Sequence, residues 1–315
     1  MTKMFIQNAL TKFFAWFDSS SVETGNEASE AVDWFRVIPF ILMHVACLLV
    51  FVVGWSPIVI IVALFSYFIR MFAITAFYHR YFSHKAFRTS RVCQFLFGLL
   101  GSTATQRGPI WWASHHRRHH RYSDTERDMH SPRKGFWWSH MGWFLSTKHF
   151  VTREQWVRDL IKFPELRFLD RFDIVIPVLY AVALWGLGKW LEIAFPALGT
   201  TGWQMLIWGY FVSTIVLIHC TLFINSLSHV WGNQRYKTGD DSRNNGFLAL
   251  ITLGEGWHNN HHHYPVSARQ GFYWWEIDIS YYLLKLMSWC GLIWDLQPVP
   301  ASRLNSNRWD EGDKA

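Results

Sequence analysis

Histidine is the residue type that stands out in this chain of 315 residues, which contains 16 of them. In GEGWHNNHHHYP four imidazoles, His258, His261, His262 and His263, occupy six positions. SHHRRHHRYSD supplies His115, His116, His119 and His120, and YHRYFSH supplies His79 and His84. A neutral imidazole binds metals well, and buried without a partner it is costly. In HRRHH and HNNHH the spacing i, i+3, i+4 puts three imidazoles on one helix face. That pattern gives two ligands to one metal and a third to its neighbour. In HRYFSH the spacing i, i+5 is about 140° on an ideal helix. The second histidine is therefore expected where the helix ends or bends. Protonated together, these rings would repel, so a bound cation explains their grouping best. Eight or more imidazoles exceed the needs of one ion and argue for two. Nitrogen ligation without thiolate suits iron, zinc or copper. The four cysteines are dispersed with no CxxC pair, which argues against a sulfur-ligated zinc site and a disulfide framework.

Four apolar stretches are long enough to carry these groups across and beside a bilayer, since a span needs about 20 helical residues. They run from Ile38 to Trp55, Ile58 to Phe77, Ile174 to Trp190 and Trp203 to Ile224. Ser56-Pro57 between the first two predicts a tight hairpin. A fifth apolar stretch, Val92 to Thr105, is too short and too rich in Gly, Ser and Thr to cross, and is expected in the interface. The N-terminal twenty residues read as an amphipathic helix on the membrane surface. Twenty tryptophans suit the same setting.

Charge predicts the orientation. Tyr78 to Arg171 holds 17 Lys or Arg against 7 Asp or Glu, a net of +10. By the positive-inside rule that segment is cytoplasmic. Four crossings then put the N-terminus and everything after Ile224 on the same face, together with all three histidine groups. A metal transporter is disfavoured, because transport sites lie near the bilayer midplane.

HRYFSH, HRRHHRYSD, RKGFWWSHMGW, NSLSH and GEGWHNNHHHYP together resemble the membrane fatty acid desaturases, specifically the delta-9 stearoyl-CoA type, over roughly Pro39 to Asp295. The resemblance implies an all-α integral membrane protein with four transmembrane helices and a cytoplasmic helical cap holding a dimetal centre. Its parts would be an N-terminal interfacial segment (1–37), a transmembrane hairpin (38–77), a cap segment with the first two boxes (78–171), a second hairpin (172–224) and a cap segment with the third box and C-terminal tail (225–315). It implies nine ligands to two Fe2+ ions: His79, His84, His116, His119, His120, His229, His258, His261 and His262. Asn225 would sit near the metals. His115 and His263 are extra to the pattern, and His44, His130, His140, His149 and His219 fall outside it. His219, at lipid depth, reads as a hydrogen-bonded core histidine.

The same resemblance implies an oxygen-dependent desaturation that places a cis double bond, at delta-9, in a saturated acyl chain. Acid–base and nucleophilic catalysis offer nothing to an unactivated methylene, so the reaction needs an oxidant made from O2 and two outside electrons. Gln106, Trp112 and Thr221 match positions that shape the bend of the acyl tunnel. Lys148 matches a coenzyme A contact, whereas Ser114 and Thr147 stand where arginines are found and His115 where an aspartate is found. Arg107, Arg117 and Arg118 remain as phosphate contacts. Acyl-CoA is the first expected substrate and a membrane lipid acyl chain the second. The basic cap would steer a separate acidic electron donor of the ferredoxin, rubredoxin or cytochrome b5 type. No nucleic-acid partner is expected. A histidine-box hydroxylase or ketolase is the alternative chemistry.

Overall fold

The computed structural model describes residues 13–14, 16–19 and 30–309. Most of the expected N-terminal amphipathic helix lies outside them. Its described part leaves Phe13, Phe14 and Phe17 exposed.

Among the described residues four helices are long and apolar enough to cross a membrane: α1 (Trp34–Val53), α2 (Pro57–Ser83), α6 (Val175–Ala194) and α7 (Gly202–His229). Two reach further than the apolar runs predict, because the second and fourth continue past the bilayer-length segment into the cap. His79 and His229 therefore ride on the ends of spans. The tight first hairpin is present. Gly54 turns with φ +67, Ser56 caps α2 by accepting from Val59 N at 3.3 Å, and Pro57 opens the helix. Proline fits there because the first-turn N–H has no helical partner. The far-side loops are tied together by Ser56 to Thr200 (2.7 Å), and Gln204 and Trp208 donate to Val53 O and Gly54 O.

The outer faces of α1 and α6 are apolar and exposed, with Leu42, Phe51, Val178 and Val182 each at least half exposed. In lipid such residues need no protein partner. Arg70, on α2, is fully buried and donates to Ser66 O, Thr103 O, Thr214 and Ser213. It thus stitches α2 to α7 and to the cap.

The cap is built on α3 (Arg91–Ser102), α4 (Pro109–Tyr122), α5 (Pro164–Arg171), α8 (Gly246–Ile251), α9 (His258–His263) and α10 (Ile279–Trp289). Helix α3, the fifth apolar stretch, is not of spanning length. It packs Phe97 on Phe77 and leaves Val92 and Leu96 exposed, as an interfacial helix does. A two-residue antiparallel ladder, β1 (Arg88–Thr89) with β2 (Ile293–Trp294), returns the C-terminal segment to the loop after the first box. Cys47, Cys93, Cys220 and Cys290 are free.

Candidate metal centre

The end of α2 shows how local winding answers the i, i+5 spacing. From Ala73 to Ser83 the helix is π-wound. Its i→i+5 hydrogen bonds place each residue over the fifth one back. His84 N donates to His79 O at 3.2 Å, and the two rings stand 4.9 Å apart. The histidine expected at a helix end or bend is the residue that closes this segment.

Helices α4 and α9 face one another and divide their imidazoles in the same way. His79, His84, His116, His120 and His261 gather in one group, and His119, His229, His258 and His262 in another. Within each group the nearest ring nitrogens lie within 4.8 Å of one another. On both helices the i and i+4 histidines go to one group and the i+3 histidine to the other. The two groups adjoin, with the His120 and His262 rings 4.4 Å apart.

The nitrogen spacing fits a metal. Two nitrogens at right angles around an ion, each about 2.0–2.1 Å from it, stand about 3 Å apart. In the first group Nε2 of His79 lies 3.0 Å from Nε2 of His261, His84 2.8 Å from His116, and His261 2.9 Å from His120. In the second, His229 and His258 are 3.0 Å apart. Buried nitrogens without partners point the same way. His119 Nδ1 donates to Asp128 at 3.0 Å and His262 Nδ1 to Asp240 at 2.6 Å, so each Nε2 is a lone pair, and neither Nε2 has a hydrogen-bond partner. Lone pairs buried and aimed at one point are what a cation satisfies.

Carboxylates orient the rings from behind. Asp124 accepts from His229 Nδ1 at 2.8 Å, and Glu255 is in contact with His79 Nδ1. Glu255 is itself held by Arg80 and by Gln270 Nε2 (2.9 Å). Arg80 also binds Asp278. The two asparagines inside the third box are anchors. Asn259 Oδ1 accepts from Arg235 N and Tyr236 N, and Asn260 Nδ2 donates to Gln270 O and Glu276. The sequence reading missed these residues. Its available signal was the acids at 124 and 255, inside the box motifs, and at 128, four residues past the second box.

Burial, reinforced by neighbouring imidazoles, holds His84, His116, His120, His258 and His261 well below the usual histidine range. They are neutral, as ligation requires. Burial also opposes a proton on His119, but Asp128 outweighs it and raises its pKa. Asp128 also accepts from the backbone N–H of Asp124 and of His130, so its grouping with His119 and His130 is a hydrogen-bond set.

The other histidines divide cleanly from these. His115 donates Nδ1–H to Trp111 O (3.0 Å), and His263 donates to Arg303 O (2.8 Å) and stacks on Tyr236. His219 is hydrogen-bonded, as expected for its depth, between His44 (3.0 Å) and His140 (2.9 Å).

A cavity of about 680 Å³ opens beside the first group. Gln106, Trp112, His116, Thr221 and Asn225 line it, and its walls continue along α1, α6 and α7. Gln106 bridges the other two expected tunnel positions, donating to Thr221 at 3.0 Å and accepting from Trp112 Nε1 at 3.4 Å. Thr221 also donates back to Leu217 O, and the Trp112 ring stacks on His116 at 5.0 Å. A smaller cavity of about 40 Å³ reaches both histidine groups, with Asn225 and Thr221 in its wall. Lys148 is not in the lining of either cavity and pairs with Glu30 at 2.9 Å, which also binds Lys134. Arg117 is likewise engaged, by Asp159 and three backbone carbonyls.

A predominantly helical membrane protein with two buried polyhistidine groups beside an apolar cavity defines a class, that of the membrane-bound histidine-box oxidoreductases. The sequence model described as fatty acid desaturase matches residues 35–287. The chain is 36% identical over 275 residues to an acyl-CoA C20 Delta5-desaturase of Anemone leveillei, covering 86% of this chain and 83% of that protein. It is 38% identical over 272 residues to a palmitoyl-monogalactosyldiacylglycerol delta-7 desaturase of Arabidopsis thaliana (85% and 70%), and 34% identical over 282 residues to an sn-2 palmitoyl-lipid 9-desaturase of Nostoc (88% and 93%). The protein belongs to the fatty acid desaturase family and is an enzyme, an oxidoreductase of the membrane.

Proposed function

We propose that this chain introduces a cis double bond, at delta-9, into a saturated acyl chain, with two iron ions held by His79, His84, His116, His120 and His261 on one side and His119, His229, His258 and His262 on the other. The observation that carries this reading is the division of nine imidazoles into two adjoining groups at the side of one apolar cavity. A pair of redox-active ions there supplies the oxidising power that an unactivated methylene requires.

The residues of the chain do the rest. Asp124, Asp128, Asp240 and Glu255 fix which ring nitrogen faces inward. Gln106, Trp112 and Thr221 brace one another beside His116, where a bent acyl chain presents a single C–C bond. The small cavity reaches both histidine groups and has room for O2 beside the acyl chain. The balance is one saturated bond, O2, two electrons and two protons to one alkene and two waters. The two electrons come from a separate donor of the ferredoxin, rubredoxin or cytochrome b5 type. The charge asymmetry of the loops supports a cytoplasmic cap, where such a donor docks. The acyl chain arrives on coenzyme A or on a glycerolipid, as in the relatives.

Expression in a desaturase-deficient cell, with the double bond located by gas chromatography–mass spectrometry, tests this. A cis-delta-9 alkene is the expected product. A hydroxylated chain without alkene would replace desaturation with the hydroxylase reading.

A further inference from the structure

The long cavity is apolar over most of its length but gathers charge at the level of the first turn of α1. Arg36, Arg107, Asp173 and His115 line it there. Arg107 is paired with Asp173, so these two charges cancel. Arg36 is different. Its guanidinium lies over the Phe150 ring at 4.4 Å, and among the described residues no oxygen accepts a hydrogen bond from its side chain. Five N–H donors half-buried at a cavity wall, without an acceptor, are set for an anion. His115 adds a second unmatched group. Its Nδ1 is spent on Trp111 O, and its buried Nε2 has no partner, which leaves a lone pair for a hydroxyl donor.

We propose that this end of the cavity is a headgroup subsite for an anionic glycerophospholipid, with Arg36 on the phosphodiester and His115 Nε2 accepting from a headgroup hydroxyl. The inference rests on the desaturase reading above and narrows its substrate to an acyl chain taken from the bilayer. Depth favours a lipid. Arg36 follows Trp34, which is 70% exposed, and lies beside the stacked Trp16 and Phe35 at the start of a span. That is where interfacial tryptophans and lipid phosphates lie.

Access favours a lipid too. Val37, Phe40 and Met43 carry the wall down α1, and Val178, Ala181 and Trp185 carry it down α6. An acyl chain can therefore lie between two lipid-facing helices while its phosphate stays at the surface. Asp33, whose carboxylate accepts from Arg36 N, stands outside the cavity lining, so within the wall the unmatched donors of Arg36 favour an anionic headgroup over a choline cation. A phosphatidylglycerol-type headgroup, one negative charge with free hydroxyls, matches both unmatched groups.

The test uses the iron-loaded protein equilibrated in detergent with equal amounts of dipalmitoyl-phosphatidylglycerol and dipalmitoyl-phosphatidylcholine, with retained lipid counted by native mass spectrometry. Phosphatidylglycerol should be enriched about tenfold or more. Arg36→Gln should erase the enrichment and Arg36→Lys restore part of it. Equal retention of the two lipids, or enrichment unchanged in Arg36→Gln, would overturn the proposal. A parallel turnover assay with a chemical reductant separates the two readings. Product from palmitoyl-CoA, with phosphatidylglycerol untouched, would sink the lipid subsite and leave desaturation standing. Selective retention without an alkene from any donor would do the reverse.

Discussion

His229 Nδ1 donates to Asp124 Oδ2 across 2.8 Å, although 105 residues separate the two in the chain. The contact joins the last turn of the fourth span to the loop after the second histidine box. Asp124 also accepts from Asp241 N, beside the acid that holds His262. One carboxylate thus sets one imidazole directly and steadies the loop behind another.

Asp124→Asn should therefore empty one site before the other. An amide cannot accept the Nδ1–H as a carboxylate does, and losing such an outer partner costs about 10–100-fold in metal affinity. On the two-iron reading proposed above, iron analysis of the purified variant should fall from two per chain toward one.

The division of the ligands predicts a matching division of losses. His84→Ala should deplete the five-histidine site and His258→Ala the four-histidine site, each abolishing the alkene. His115→Ala should keep both irons, because His115 stands in neither group. Metal stoichiometry with product analysis checks all three, and full activity in both ligand variants would contradict the assignment.

Thr221→Ala removes the hydroxyl that anchors Gln106, and through it Trp112. With the acyl chain less firmly bent, a displacement on the order of 1 Å can cost about a hundredfold. The expected result is a drop in kcat/KM of tenfold to about a hundredfold and a spread of double-bond positions, read by mass spectrometry of the product.

Acid sensitivity should come partly from His149. Burial, with His115, Arg118 and Arg153 adding repulsion, pushes it down to about 2, and neither ring nitrogen has a partner. Unfolded, it takes a proton near pH 6.5; folded, it stays neutral. The unfolded state therefore binds more protons below that pH, and stability falls as pH drops, by at most about 1.4 kcal/mol per unit for this one group. His149→Phe should flatten that acid limb in thermal melts of the apoprotein between pH 7 and 5. It should leave the melting temperature at pH 8 unchanged or higher, because two unsatisfied nitrogens are lost.

The spans, the boxes and the histidine clustering were legible in the sequence because hydrophobic length and helical spacing are local properties. Twenty apolar residues need a bilayer, and i, i+3, i+4 puts three rings on one face, whatever surrounds them. The family resemblance added His229, which stands alone in NSLSH and has no spacing to announce it. What only the tertiary structure decided is partnership across distance. Which imidazole joins which group depends on how α4 and α9 face each other, and the i, i+5 pair meets because the end of α2 winds as a π-helix. The same holds for Lys148 and Arg117, whose charges look available in the sequence and are met by Glu30 and Asp159 in the fold. It holds in reverse for Arg36, unremarkable in the sequence yet left without an acceptor at a cavity wall. A side chain's type is written in the chain, but what satisfies or strands it is set by neighbours that only folding supplies.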